Sequence, residues 1–98
     1  MQRLDGPYVV MCVATGPTQT IDLAWQYCES NFRARVCSVS QYLNACNFGV
    51  SMPAVMWTDA PVGTGTFATM VGCNMSNVST ATASSQRGTL CCLEWPKY

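Results

Sequence analysis

Seven cysteines in 98 residues, none of them spaced C-x-x-C, constrain this chain more than any other feature. A chain of that length makes one domain whose core is small enough to benefit from covalent staples. The absence of histidine removes the commonest partner ligand for zinc, so Cys12, Cys28, Cys37, Cys46, Cys73, Cys91 and Cys92 read as a disulfide scaffold formed in an oxidising compartment. The competing reading is a set of buried free thiols in a cytosolic protein.

Three of the cysteines fall in the segment Thr20–Cys46, which reads as helix, short strand, helix. Ile21, Ala24, Trp25, Cys28 and Phe32 recur at helical spacing and form one apolar face, with Asp22, Gln26 and Glu29 turned outward. Thr20 stands at the N-cap, and Asp22 favours the positive end of the helix dipole. Further on, Ser38 and Gln41 fit the S-x-x-Q capping box, and Val39, Tyr42, Leu43 and Cys46 repeat the helical spacing. Between the two, Ala34-Arg35-Val36-Cys37 is too short for a helix and reads as a strand or extended link.

On either side the signals are mostly β. Tyr8 to Ala14 is a β-prone run that Thr15-Gly16-Pro17 should end. Asn47-Phe48-Gly49 stops the second helix, and Ser51-Met52-Pro53 keeps the chain extended. Val55 to Thr58 is an apolar strand; Asp59 to Gly65 breaks it with a turn, and Thr66 to Val71 returns as its hairpin partner. Gly72 to Gly88 is polar and nearly devoid of anchoring side chains, which predicts a long mobile loop tethered by Cys73. Leu90 to Leu93 closes the chain as a strand, so Cys91 and Cys92 point to opposite faces and serve different partners. The expectation is an α+β fold: helices at 20–31 and 39–46 on a small antiparallel sheet built from segments near 8–14, 55–58, 66–71 and 89–93. Trp25, Phe32, Val36, Leu43, Met56, Trp57, Phe67 and Leu90 should share one core.

These elements resemble the C-type-lectin-like domains. In that family an A-x-x-x-C on a first helix precedes a short strand and a second helix, here Ala24 to Cys28 and Ala34 to Cys37. Val55-Met56-Trp57-Thr58 stands where the family has its W-I-G-L core strand, and Leu90 to Glu94 is similar to its closing cysteine strand. A looser likeness is to small cysteine-rich extracellular modules with an A-R-x-C strand and a terminal Cys-Cys pair. The lectin-like arrangement implies that the first strand lies near the last, and that the last strand runs beside the first helix. It therefore implies a bridge from Cys28 to Cys91 or Cys92. The other of these two would take Cys37 or Cys12, leaving one of Cys12, Cys46 and Cys73 unpaired or bridged to another chain. The family's sugar-binding members hold calcium with E-P-N or Q-P-D together with W-N-D. This chain has only Trp57-Thr58-Asp59, and no acid between Cys73 and Arg87, so a calcium-dependent sugar site is not expected.

Charge and chemistry narrow the function further. Five Lys and Arg balance five Asp and Glu, and charged residues make up only 10% of the chain, so no basic patch is set up for nucleic acid. A surface so sparsely charged promotes association or wants covering. With no histidine and with Asp5, Asp22, Glu29, Asp59 and Glu94 scattered, no catalytic group is assigned. No cofactor fingerprint occurs, no metal is expected, and no apolar run is long enough to span a membrane. Residues 1–7 lack the apolar region of a signal peptide, so an exported form would be a processed one. Asn74-Met75-Ser76 and Asn77-Val78-Ser79 are N-x-S sequons, making Asn74 and Asn77 candidate glycan acceptors in a secreted protein. The expected role is a non-catalytic extracellular or lumenal module that works by protein contact, as a subunit or repeat of a larger assembly. The alternative is a calcium-independent glycan-binding module using Trp95, Tyr98 or Trp57 as aromatic platforms.

Overall fold

The computed structural model describes residues 1–50, 52, 55–73 and 78–96. Seven strands and two helices run in the order β1 (Gln2–Asp5), β2 (Val9–Gln19), α1 (Ile21–Phe32), β3 (Arg35–Val36), α2 (Val39–Asn47), β4 (Met56–Gly63), β5 (Thr66–Met70), β6 (Ser79–Thr82) and β7 (Arg87–Pro96). The sheet order is β1-β2-β7-β4-β5-β6, with β3 also paired to β7. The first long strand and the last are therefore neighbours within it, antiparallel from Val9↔Pro96 to Gln19↔Arg87.

Both helices form where their local signals lie. α1 buries Ile21, Ala24 and Cys28, while Trp25 and Phe32 are only half-buried at the edge of that face. Thr20 occupies the N-cap position but its side chain makes no capping bond. Ser38 does cap α2: its hydroxyl accepts from the Gln41 amide at 3.1 Å, and the Gln41 side chain accepts from the Ser38 amide at 3.0 Å. Phe48 is the C-cap, and Gly49 follows with φ 89°, a left-handed position that suits glycine.

The expected single core is two clusters, one on each face of the sheet. Alternate residues of one strand face opposite ways, and the assignments alternate accordingly. Met11, Val13, Met56, Met70, Leu90 and Cys92 join Tyr42 and Ala45 of α2 in the first cluster. Val36, Trp57, Ala81 and Cys91 join Ile21, Ala24 and Cys28 of α1 in the second, with Trp25, Phe32 and Phe67 packed at its margin. The helices thus cover opposite faces, which the sequence periodicity, being local to each helix, does not encode.

Four further expectations are corrected. The sheet is mixed, because β4 runs parallel to β7 at Met56↔Gly88; a Cβ on Gly88 would meet the Met56 sulfur, so glycine is what lets these strands close up. The first strand does not end at Thr15-Gly16-Pro17 but runs to Gln19 through a register shift between Gly16 and Gln19. Pro17 has no N–H to give the ladder, and the strand bulges there rather than stopping. Thr89, fully buried, makes up the missing bonds: its hydroxyl donates to the Pro17 carbonyl at 2.8 Å and accepts from the Gln19 side-chain amide at 3.0 Å. In the same way Asp59 to Gly63 continues β4 irregularly instead of turning. The Thr58 hydroxyl donates to the Ala68 carbonyl at 2.8 Å across that irregularity, and the tight turn falls at Thr64-Gly65.

Lastly, the polar stretch expected to be a loop contains strand β6, paired to β5 from Thr66↔Thr82 to Thr69↔Ser79. An edge strand pairs through its backbone and needs little inward side chain; Ala81, 6% exposed, is all that β6 contributes to a core. Thr82, Ser84 and Ser85 share hydroxyl contacts in the turn that follows. Strand β1 was also unforeseen, and Leu4 is its one buried residue. The expected extended segment Ser51-Met52-Pro53 lies, apart from Met52, outside the described residues.

Candidate functional site

Strand β7 gathers the cysteine chemistry. Cys91 faces α1 and bonds Cys28, Cα to Cα 5.3 Å; Cys92 faces the other way and bonds Cys37 at 5.0 Å. Cys46 at the end of α2 bonds Cys73 at 5.6 Å. Of the pairings left open by the sequence, the closing strand takes Cys28 and Cys37, and the cysteine without a partner is Cys12. Cys12 sits on β2 between Arg3 of β1 and Leu93 of β7, partly accessible. Cys91 and Cys92 are both locked into bridges that reach opposite faces, so they do not form a vicinal redox pair.

The aromatic residues separate into two kinds. Trp57 is fully buried and its indole N–H donates to the Gln19 carbonyl at 2.7 Å, which fixes β4 to the junction of β2 and α1. It is a structural group and cannot serve as a platform. Trp95 is 42% exposed near the end of β7, opposite Val10 of β2. Tyr8, 77% exposed, follows the β1–β2 turn, and the ring of Phe48, 47% exposed, reaches within 3.8 Å of where a Cβ on Gly6 would stand. Tyr8, Phe48 and Trp95 thus lie at the same end of the sheet but not as one patch: Phe48 ends α2 on the face of the first cluster, whereas Trp95 alternates with Glu94 and Cys92 and lies on the α1 face. Tyr98, Asn74 and Asn77 lie outside the described residues.

A second feature was not foreseen. Trp25, Glu29 and Ser30 of α1 line an open cleft of about 920 Å³ together with Arg33, Ala34 and Arg35. A neighbouring cleft of about 400 Å³ shares Arg33 and Arg35 and adds Ser38, Gln41, Asp59 and Glu94. The sequence scatters these carboxylates; the fold brings Asp59 and Glu94 to one wall because β4 and β7 both approach β3. Glu94 accepts from the Gln41 side-chain amide at 3.1 Å. Among the described residues the one ion pair is Arg3–Asp5 at 3.2 Å, so neither Arg33 nor Arg35 has a carboxylate partner. Arg33 also occupies a left-handed position, φ 51°, as the C-cap of α1. Glycine would sit there about 1 kcal/mol more comfortably. The local signal for this residue was weak, since an arginine after a helix reads equally well as a dipole-compensating cap.

One hydroxyl is left alone in the core. Tyr42 is fully buried and its OH has no hydrogen-bond partner; burial pushes its pKa above the ordinary tyrosine range. Among the described residues no three His, Cys, Asp or Glu side chains converge as metal ligands, and no helix is long and apolar enough to cross a membrane. No family model, curated protein or solved structure matches the chain.

Proposed function

We propose that this protein is a non-catalytic extracellular or lumenal module of C-type-lectin-like architecture that works by protein contact, as a subunit of a larger assembly. Three intramolecular disulfides are consistent with an oxidising compartment. The likeness to the lectin-like domains draws support from the bridge between the first helix and the last strand, and from the pairing of the first long strand with the last. The observation that carries the contact reading is that Tyr8, Phe48 and Trp95 all stand exposed, on either face of one end of the sheet, in a chain with few charges. Aromatic side chains supply much of the binding energy at protein interfaces, and few charges oppose their desolvation. Sedimentation velocity of the oxidised protein across the micromolar range tests it. Self-association or a defined heteromer that Phe48→Asp and Trp95→Asp abolish is the expected result; a chain that stays monomeric, with neither variant affecting recovery of any partner, sinks it.

A second reading is calcium-independent glycan binding, favoured by Trp95, whose exposed indole offers a stacking face. A glycan array probed in chelator separates the two readings.

A further inference from the structure

We propose that the cleft between the end of α1 and strand β3 binds a saccharide carrying an isolated anionic group, a carboxylate or a sulfate. The inference rests on the saccharide-binding reading above but places the site on the flank of α1, away from Trp95.

Arg33 and Arg35 bracket the buried Ala34 and both line the cleft. A guanidinium presents a planar fork of donors that matches a carboxylate or sulfate, and neither fork here has a partner among the described residues. Glu29 stands one helical turn before Arg33 and still makes no ion pair with it, so the arginine is not held as a helix-stabilising partner. Arg33 keeps a side chain at a left-handed backbone position where glycine fits better, and a tolerated strain of this kind points to a task for the side chain. The same cleft is lined by the half-buried indole of Trp25, whose N–H has no partner among the described residues, and by the Ser30 hydroxyl. A flat apolar ring with hydroxyl-bonding groups beside it is the chemistry that recognises a sugar, and a cleft of about 920 Å³ is too large for a lone ion.

The acids set the charge density the site accepts. Glu29 lies in the first cleft, and Asp59 and Glu94 line the adjoining one. One anionic group can sit between the arginines while these carboxylates accept sugar hydroxyls. A densely sulfated chain or a run of acidic peptide would meet them with like charge. The arginines therefore select an anion, and the acids limit it to one.

The test measures binding of the oxidised full chain to four probes: sialyllactose, lactose, a heparin tetrasaccharide and inorganic sulfate, with poly-glutamate as competitor. Sialyllactose should bind at least about tenfold more tightly than lactose, the increment of one charge-assisted pair. Arg33→Gly and Arg35→Gln should each weaken that binding about tenfold, Glu29→Gln should tighten it, and Trp95→Ser should leave it unchanged. Arg33→Gly is the decisive variant, because the fold should tolerate it with no loss of thermal midpoint. Equal affinity for lactose, unchanged affinity in Arg33→Gly, preference for heparin or poly-glutamate, or saturation by sulfate alone would each overturn the proposal. Binding of neutral sugar lost only in Trp95→Ser would keep the saccharide reading and reject this cleft; no binding of any saccharide would reject both.

Discussion

Single side chains here are most informative where they break a rule. A buried tyrosine hydroxyl without a partner has lost its hydration for nothing, and removing it leaves the ring's packing intact. Tyr42→Phe should therefore leave stability unchanged or raise it by about 1 kcal/mol. The pH dependence follows from the raised pKa. The unfolded chain gives up this proton near the ordinary tyrosine value of 10.0, whereas the folded chain holds it to higher pH. Above that value the unfolded state binds fewer protons, so stability falls as pH rises, and at lower pH the group contributes no slope. Tyr42→Phe should flatten that alkaline limb in urea titrations; a variant that loses stability at neutral pH would show that the hydroxyl has a partner after all. Cys12 breaks a different rule, being a partly accessible thiol in a bridged protein. Iodoacetamide should modify the native chain at Cys12 alone, and peptide mapping that finds label on any of the other six would contradict the bridge pattern.

At the scale of elements, what was legible in the sequence was what is determined locally. The α1 face, the α2 capping box and the opposed directions of Cys91 and Cys92 depend on neighbours within a few residues, and each stands where its signal lies. Strands β1 and β6 were not legible, because each pairs through its backbone with the neighbouring strand and buries one side chain, Leu4 or Ala81, so neither shows an alternating apolar pattern. The cleft that joins Arg35 to Asp59 and Glu94 was hidden because those residues meet only after β3, β4 and β7 come together. The two misplaced strand ends share one cause. Gly16-Pro17 and Ala60-Pro61 are local breakers, and in both strands a buried threonine hydroxyl takes up a carbonyl that the ladder leaves. Thr89→Val keeps shape and β-propensity but leaves the Pro17 carbonyl and the Gln19 amide without their bonds. It should cost about 1–3 kcal/mol in chemical denaturation, the penalty of a buried unsatisfied group. A change within the noise of a surface variant would mean that solvent already serves these groups.

Across the whole molecule, two of the three covalent links converge on β7, and that decides how stability is shared. The Cys28–Cys91, Cys37–Cys92 and Cys46–Cys73 bridges close separations of 63, 55 and 27 residues. On chain entropy alone they are worth about 4, 4 and 3.5 kcal/mol, a spread too small to rank them. The structure ranks them by what surrounds the sulfurs. Cys28 and Cys91 are both fully buried between α1 and the sheet, so replacing the pair by alanine adds lost packing in a close-packed cluster to the lost constraint. Cys73 lies exposed beyond β5, and Cys46, though buried, belongs to neither cluster, so the third bridge ties a peripheral segment whose release disturbs neither core. The Cys28→Ala/Cys91→Ala pair should consequently lower the urea midpoint well beyond the Cys46→Ala/Cys73→Ala pair, with the latter retaining the near-ultraviolet signature of buried Trp57. Complete reduction should unfold the chain, since the three terms together rival the entire margin of about 5–15 kcal/mol typical of small domains. If the Cys46/Cys73 pair proves the costlier of the two, the segment it tethers carries structure that the two clusters depend on, and the division of the fold into a stapled centre and a tied periphery is wrong.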